Sequence, residues 1–417
     1  MFNVSNNNKN YSKPNRIINR NQSFNYSSLA RNLYPVDFHK DPNLSGQLFL
    51  EETINLACKE ADNLLNSGLN LSFREENNKK IYFIESFPQK IVLRRCAENI
   101  KLHCSVEYRN RNAICKEIKC FLSNHTKYNL YKYDIKNFFE SSDSALVNKT
   151  LLSYGKLSNQ NKYIIKNVVD KVGFLPRGVE ISPVLGEIIL DEFDIEVRRH
   201  PEVVYYSRFV DDIFIITTSY EENFESYLND KLPKPLLFNE REDKKDKLCV
   251  EMVGNNKSSK SFSYLGYVFN IIDDASKNRA IKIDISDKKI KSIKTKVSKA
   301  LLSYSKDGDS ELLLDRIRFL TSNRQMQDKN TGMKVPAGIY YNYSLITESS
   351  DSLEKLDATF YHFIYNYEKF FKKSNGKIMS KNLKRRLLRF SFKYGFENKV
   401  FVKFSLNRIS KLVRIWK

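Results

Sequence analysis

Two adjacent carboxylates, Asp211 and Asp212, interrupt the run VVYYSRFVDDIFIITT over residues 203–218, which is otherwise apolar, β-branched and aromatic. A carboxylate buried among such side chains is costly unless something offsets its charge. The flanks 203–209 and 213–218 each read as a strand, which puts the acids at the connection of a β-hairpin, held at a sheet edge over a cleft. A plain surface turn would account for the pair equally well, whereas a divalent cation would relieve two neighbouring like charges. A third carboxylate comes from YKYDIKNFFES, where Asp134 ends a second strand candidate, YNLYKYDI. Three carboxylates on two adjacent strands suit a pair of hard cations, Mg²⁺ in the first place and Mn²⁺ as the alternative. Such a pair activates a 3′-hydroxyl and offsets charge on a departing pyrophosphate.

Between these two stretches lies LPRGVEISPVLGEIILDEFD. Pro176 and Gly178 mark a turn able to approach a ligand closely. Ser182 suits a helix N-cap and Pro183 the first helical position, so a helix is expected over 182–199.

The elements that must position these groups read as a mixed α/β chain. Helical spacing runs through Leu50, Ile54, Ala57 and Ala61. Two strand-like runs, joined through Pro88, make up KKIYFIESFPQKIVLRRCAENIKLH, and RNAICKEIKCFL reads as a short helix. REDKKDK, 241–247, is a charged turn or loop, and SYLGYVFNI is a further strand. Beyond about residue 285 the pattern turns helical. Leu353, Leu356, Phe360, Phe363, Ile364, Tyr367 and Phe371 form one packing stripe there. The expected divisions are an Asn-rich basic arm over 1–45, a catalytic unit over 46–284, and a helical, basic region over 285–417.

The 417 residues carry 70 Lys and Arg against 49 Asp and Glu, a net charge of +21, with a pI near 9.4. Such an excess favours a polyanionic partner, most often nucleic acid. Two-thirds of it falls in the stretch from Phe371 to Lys417, where fifteen Lys and Arg face Glu397 alone. Lys384, Arg385, Arg386 and Arg389 interleave there with aromatics, a combination suited to phosphate contact and base stacking. The mean hydropathy is -0.52, and no apolar run is long enough to span a bilayer. The first residues lack a signal peptide's apolar core. The six cysteines form no CxxC pair. A cytoplasmic protein with buried thiols, no zinc site and no membrane partner is the expectation.

The order YDIKNFFES, LPRGVEISP, FVDD and SYLGYVF resembles the palm motifs of reverse transcriptases of the right-hand polymerase type, over about residues 80–330. The resemblance implies an α/β (α+β) polymerase with fingers, an antiparallel-sheet palm and a helical thumb. Asp134 and Asp211 would be metal ligands for two ions, with the Ile135 carbonyl contributing and Asp212 in support. Phe139 would be the steric gate that favours dNTPs over rNTPs. Lys90, Arg94 and Arg95 would grip the incoming triphosphate. Arg177 would contact a triphosphate or the template, or pair with Glu180, beside Gly178. Tyr264, Leu265, Gly266 and Tyr267 would guide primer and template. The Asn-x-x-Lys motif is blurred, Asn239 being followed by Lys244, Lys245 and Lys247.

Among reverse transcriptases, no Val-Thr-Gly triplet of the retron kind stands in these residues, and neither the added segment of group II intron enzymes nor a ribonuclease H domain is expected. The chain resembles bacterial defence-associated and abortive-infection reverse transcriptases, and the type 3 systems among them are the expected subtype. That implies a noncoding RNA or RNA template, a DNA product, dNTPs, and a second polymerase subunit or homo-oligomer. Untemplated or protein-primed synthesis and a non-catalytic RNA-binding scaffold stay open as alternatives.

Overall fold

Strand β3 (Tyr128–Asp134) is buried along its whole length, so it needs cover on both faces. The computed structural model describes residues 21–416 apart from 65–68, 70, 77, 220–222, 241–244, 254–257, 275–277, 328–333, 349 and 372–375. Within these residues β3 lies between β5 (Asp212–Thr217) and β6 (Asp246–Val250), and β4 (Val203–Phe209) flanks β5. All three pairings are antiparallel. The connections run strand, helices, hairpin, helix Phe224–Lys231, strand, a split βαβ arrangement.

Period-two alternation gives each face its own core. Tyr131, Tyr133, Ile213 and Ile215 pack with helices Phe87–His103, Asn159–Val172 and Ser182–Ile189. Tyr128, Leu130, Phe214 and Ile216 point the other way, into a core shared with helix Arg111–Leu122 and the distal half of the chain. There Phe214 stacks between Phe262 and Tyr264, with ring centroids 5.4 and 5.1 Å away. Burying each such ring contributes about 2–3 kcal/mol.

That second core is built on a three-stranded sheet, with β8 (Tyr267–Asp273) between β7 (Ser258–Tyr264) and β9 (Arg279–Ile285). Helices Asp287–Asp307, Ser310–Thr321 and Ser352–Tyr365 complete it. A two-stranded sheet of β10 (Asn323–Gln327) and β11 (Lys334–Gly338) interrupts this otherwise helical region. Near the start, β1 (Leu71–Glu76) and β2 (Lys79–Ile84) form a separate hairpin.

Several elements differ from the sequence expectation. The run after Pro88 is the helix Phe87–His103, because Ser86 caps it and Pro88 fits its first turn. The helix expected over 182–199 is two, Ser182–Ile189 and Asp191–Arg199, broken at Leu190. SYLGYVFNI is a hairpin, since Leu265 and Gly266 both take positive φ, 46° and 84°, as a two-residue primed turn requires. The aromatic stripe at 353–371 is buried as expected except for partly buried Phe363, but its helix stops at Asn366. The arm expected over 1–45 is folded from Asn21 onward, with helices Tyr26–Ala30 and Pro35–Lys40. Its residues 1–20 lie outside the described residues, as do 241–244 of the expected charged loop. Among the described residues no helix is long and apolar enough to cross a membrane.

Candidate active site

On the second face of the central sheet the side chains change from apolar to charged along each strand. On β3 the order is Tyr128, Leu130, Lys132, Asp134, and on β5 it is Ile216, Phe214, Asp212. Asp134 and Asp212 are register partners, a rung whose Cα atoms stand about 4.5–5.5 Å apart in an antiparallel ladder. Asp211 is the next residue, in the hairpin turn, and its carbonyl accepts the Ile135 N–H at 3.1 Å. Asp134 and Asp212 thus share one rung where β3 meets the β4–β5 hairpin, and Asp211 follows in the turn.

The tip of that hairpin is strained. Val210 sits at φ 61°, a left-handed conformation that costs a β-branched residue about 1–2 kcal/mol. It persists because the surroundings fix it. The Arg208 Nη1 donates to the Val210 carbonyl at 2.9 Å. The Tyr264 hydroxyl donates to the Asp212 carbonyl at 3.1 Å. Burial, with the Asp212 charge beside it, holds that tyrosine far above its ordinary pKa, so it stays a donor.

Arg208 is itself anchored. Its Nε and Nη2 donate to the two Asp194 oxygens at 2.8 Å each, and Nη2 also reaches Glu187 Oε2 at 2.8 Å. Burial opposes the Arg208 charge, but Asp194 and Glu187 outweigh it and raise its pKa. The Glu187 carboxyl is pushed above its usual range by burial, although Arg208 pulls against that. A cleft of about 300 Å³ borders this network, lined by Tyr108, Arg198 and Val210 among others, and not by the three aspartates.

Asn239 holds the other strand. Its N–H donates to the Asp134 carbonyl at 2.8 Å and its Nδ2 to Asp134 Oδ2 at 3.2 Å. Sequence reasoning took Asn239 only as the start of a blurred motif and gave Arg208 no role. Arg208 was visible as an ionisable residue inside a strand, a position that demands a partner. Of the lysines in that motif, Lys245 pairs with Glu225, Lys247 lies over the Tyr131 ring, and Lys244 falls outside the described residues.

The expected triphosphate cations divide. Arg94 is 7% exposed and donates to both oxygens of Asp37, at 2.6 and 3.0 Å, with its guanidinium over the Tyr34 ring. Arg95 is also buried and bonds the Asn21 and Ser23 carbonyls and Glu98. Both guanidiniums are thus engaged in binding the folded arm to the helix, where the sequence expectation had them facing a nucleotide. Lys90 remains near the surface, 3.4 Å from Glu180.

Arg177 pairs with Glu140, not Glu180, through two bonds of 3.2 Å, and lies 4.6 Å from the Phe139 ring centroid. Burial raises the Glu140 carboxyl, yet the Arg177 bonds prevail and it titrates below its usual range. Phe139 is half-buried against Phe138. Gly178, at φ 101°, makes its close approach to β2 and not to an open space. A Cβ there would stand 2.6 Å from the Tyr82 carbonyl oxygen, and the Tyr82 N–H donates to the Arg177 carbonyl at 2.7 Å.

Tyr264 and Tyr267 are buried, so only the Leu265–Gly266 turn between them faces outward. Arg111 Nε fixes that turn by donating to the Leu265 carbonyl at 2.6 Å. In the distal basic stretch, Lys384 pairs with Glu368 and Arg386 with Glu311, while Arg385 and Arg389 are exposed.

Among the described residues, no three His, Cys, Asp or Glu side chains form a group that could hold a metal ion. The donor set at the rung is two carboxylates with a third adjacent. That fits Mg²⁺ or Mn²⁺, which take one or two carboxylates and complete their shell with water and substrate phosphate. It does not fit a closed structural cage.

No family model matches this sequence, and no curated protein does. Among solved structures, the chain is similar to apo telomerase from Candida tropicalis truncated from its C-terminal domain, at 13% identity and a TM-score of 0.34. The overlay covers 52% of this chain and spans about half of that one, 54%. The likeness is distant, and the reading of the site rests on this chain's own residues.

Proposed function

We propose that this chain is an RNA-directed DNA polymerase, extending DNA by nucleotidyl transfer. The observation that supports the reading is the Asp134–Asp212 rung, with Asp211 beside it in a hairpin turn tied by Arg208 and Ile135. The four sequence motifs, in order, support it. In this reading residues 46–284 serve as fingers and palm, and 285–417 as thumb and basic region.

Asp134 and Asp211 would hold Mg²⁺ or Mn²⁺, with Asp212 and the Ile135 carbonyl in support. Bound there, the metal supplies a lower pKa for a 3′-hydroxyl and charge for a leaving pyrophosphate. Asn239 keeps the Asp134 carboxylate from rotating, and the Arg208 bond keeps the Asp211 backbone in place; both are forms of preorganisation. Lys90 and Arg177 each rest on a glutamate that a triphosphate would replace. Phe139 sets its ring beside Arg177, where it would meet a ribose 2′-hydroxyl and favour dNTPs. The Leu265–Gly266 turn guides the primer strand. A noncoding RNA template and a role in antiphage defence belong to the same proposal, on the strength of the sequence resemblance.

The test is incorporation of each labelled dNTP by the purified chain with Mg²⁺, with and without ribonuclease, beside Asp211→Asn. Incorporation lost in both the ribonuclease and the Asp211→Asn arms is expected. Incorporation that survives ribonuclease would replace RNA copying by untemplated or protein-primed synthesis. Incorporation unchanged by Asp211→Asn would remove the site altogether.

A further inference from the structure

A second cationic feature lies outside the carboxylate site. The helix Asp287–Asp307 carries Lys288, Lys289, Lys291, Lys294, Lys296 and Lys299, with no acid between Asp287 and Asp307. Lys288, Lys291, Lys296 and Lys299 line a cleft of about 360 Å³ closed on one side by Trp416. Among the described residues none of these four has an ion pair. From Lys288 to Lys299 the helix rises about 16 Å, so the charge forms a stripe and not a point.

Trp416 is placed by its own contacts. Its Nε1 donates to the Lys296 carbonyl at 3.0 Å, and its ring leans on Phe319 at 5.7 Å between centroids. Helix Leu406–Val413, just before it, is anchored by Arg408, whose Nη2 lies 2.7 Å from Asp315. The cation field is uncompensated. Half-burial lowers the pKa of Lys296 and Lys289, and neighbouring cations, Arg324 and Lys289 on the first, Arg111 and Lys288 on the second, add to that. Cations held together without acids lower their energy by taking up a polyanion.

We infer that this cleft is a binding site for single-stranded nucleic acid, with the lysine stripe on the phosphates and Trp416 against a base. A lysine groove beside an aromatic ring is the combination that single strands require, because their bases are free to stack. An acidic protein or an anionic membrane surface could also meet the lysines and the ring, but neither presents the row of planar bases between phosphates that a narrow lysine stripe with an aromatic edge matches. A regular duplex hides its bases and would leave the ring idle. The site is separate from Asp134, Asp211 and Asp212, so it does not depend on the reading of those residues.

The single tryptophan of the chain is a built-in reporter. The experiment titrates the full-length Asp211→Asn protein with a single-stranded RNA oligonucleotide, a duplex of equal length, an acidic peptide and phosphatidylserine vesicles. Trp416 fluorescence and a separate anisotropy signal are followed across a salt series. Saturable quenching by the single strand, well ahead of the duplex, is expected.

The triple variant Lys288→Ala, Lys291→Ala, Lys299→Ala should flatten the logarithmic salt slope by about 2, at about 0.7 per phosphate contact. Trp416→Ala should weaken binding by about fivefold to a hundredfold and leave the slope unchanged. Trp416→Phe should restore most of it, which a folding defect would not explain. Binding without quenching, a duplex that binds as well as the single strand, or preference for the peptide or the vesicles would each overturn the inference. Loss of incorporation in the catalytic test would leave it standing.

Discussion

Arg208→Met removes the centre of the network behind the hairpin tip. The guanidinium makes three bonds of 2.8 Å to Asp194 and Glu187 and one of 2.9 Å to the Val210 carbonyl. Its side chain is 4% exposed, and those of Asp194 and Glu187 are 8% and 21% exposed. Methionine fills much of the space but leaves Glu187 without its cation and Asp194 with only the exposed Arg198 at 3.8 Å. Breaking a buried pair in this way costs about 3–5 kcal/mol. The cost should depend on pH. Burial already raises the Glu187 carboxyl above its unfolded value, and losing Arg208 raises it further. A carboxyl raised on folding contributes full stability below its unfolded pKa and loses it as pH rises through the folded one. The variant should therefore fall furthest behind wild type near pH 8 and recover part of the difference near pH 5. Denaturant titrations at both values, followed by far-UV circular dichroism, measure this. Incorporation per folded molecule should also drop, because the strained Val210 conformation loses its clamp. Arg208→Met with wild-type stability at pH 8 and no pH trend would refute the reasoning.

Three further outcomes are expected. Asn239→Ala deletes one charge-assisted bond to Asp134, worth about 1–2 kcal/mol, and should slow incorporation about 5- to 30-fold with little change in melting temperature. Gly178→Ala puts a Cβ 2.6 Å from the Tyr82 carbonyl oxygen and 2.8 Å from Ile81 Cγ2 at φ 101°. It should cost at least about 2 kcal/mol and speed hydrogen exchange in β1 and β2. Arg94→Met should destabilise by about 3–5 kcal/mol while leaving the dNTP KM of the folded fraction unchanged. Burial works to raise the Asp37 carboxyl, but Arg94 and the Tyr34 N–H lower it overall. That stability is present above the unfolded carboxyl pKa and disappears as pH falls through the folded one, so the variant and wild type should converge in acid.

The strands around the carboxylates were legible because the alternation in YNLYKYDI and the apolar, β-branched and aromatic run VVYYSRFVDDIFIITT are local signals. The acids stood out because they interrupt that run. The stretch after Pro88 was not legible in the same way. Ile91, Val92 and Leu93 form an apolar run that suits a buried strand or a helix buried on most sides, and all three are fully buried in the helix. What decides it is Ser86 and Pro88 at the start. Arg94 and Arg95 looked available because Glu98 is the one acid close to them in sequence, and it pairs with Arg95. Their main partners lie between 57 and 74 residues upstream, and no spacing rule reaches that far. Leu265 failed for another reason: a positive φ at a leucine is set by Arg111 and the strands on either side, not by the residue itself.

The central sheet separates two cores, and the carboxylate rung takes instructions from both. Arg208 reaches the tip from the side of Asp194 and Glu187, and the Tyr264 hydroxyl reaches Asp212 from the side of Phe262 and Phe269. The rung thus registers both halves at once: a chain with only one core packed would lack either the Arg208 bond to the Val210 carbonyl or the Tyr264 bond to the Asp212 carbonyl.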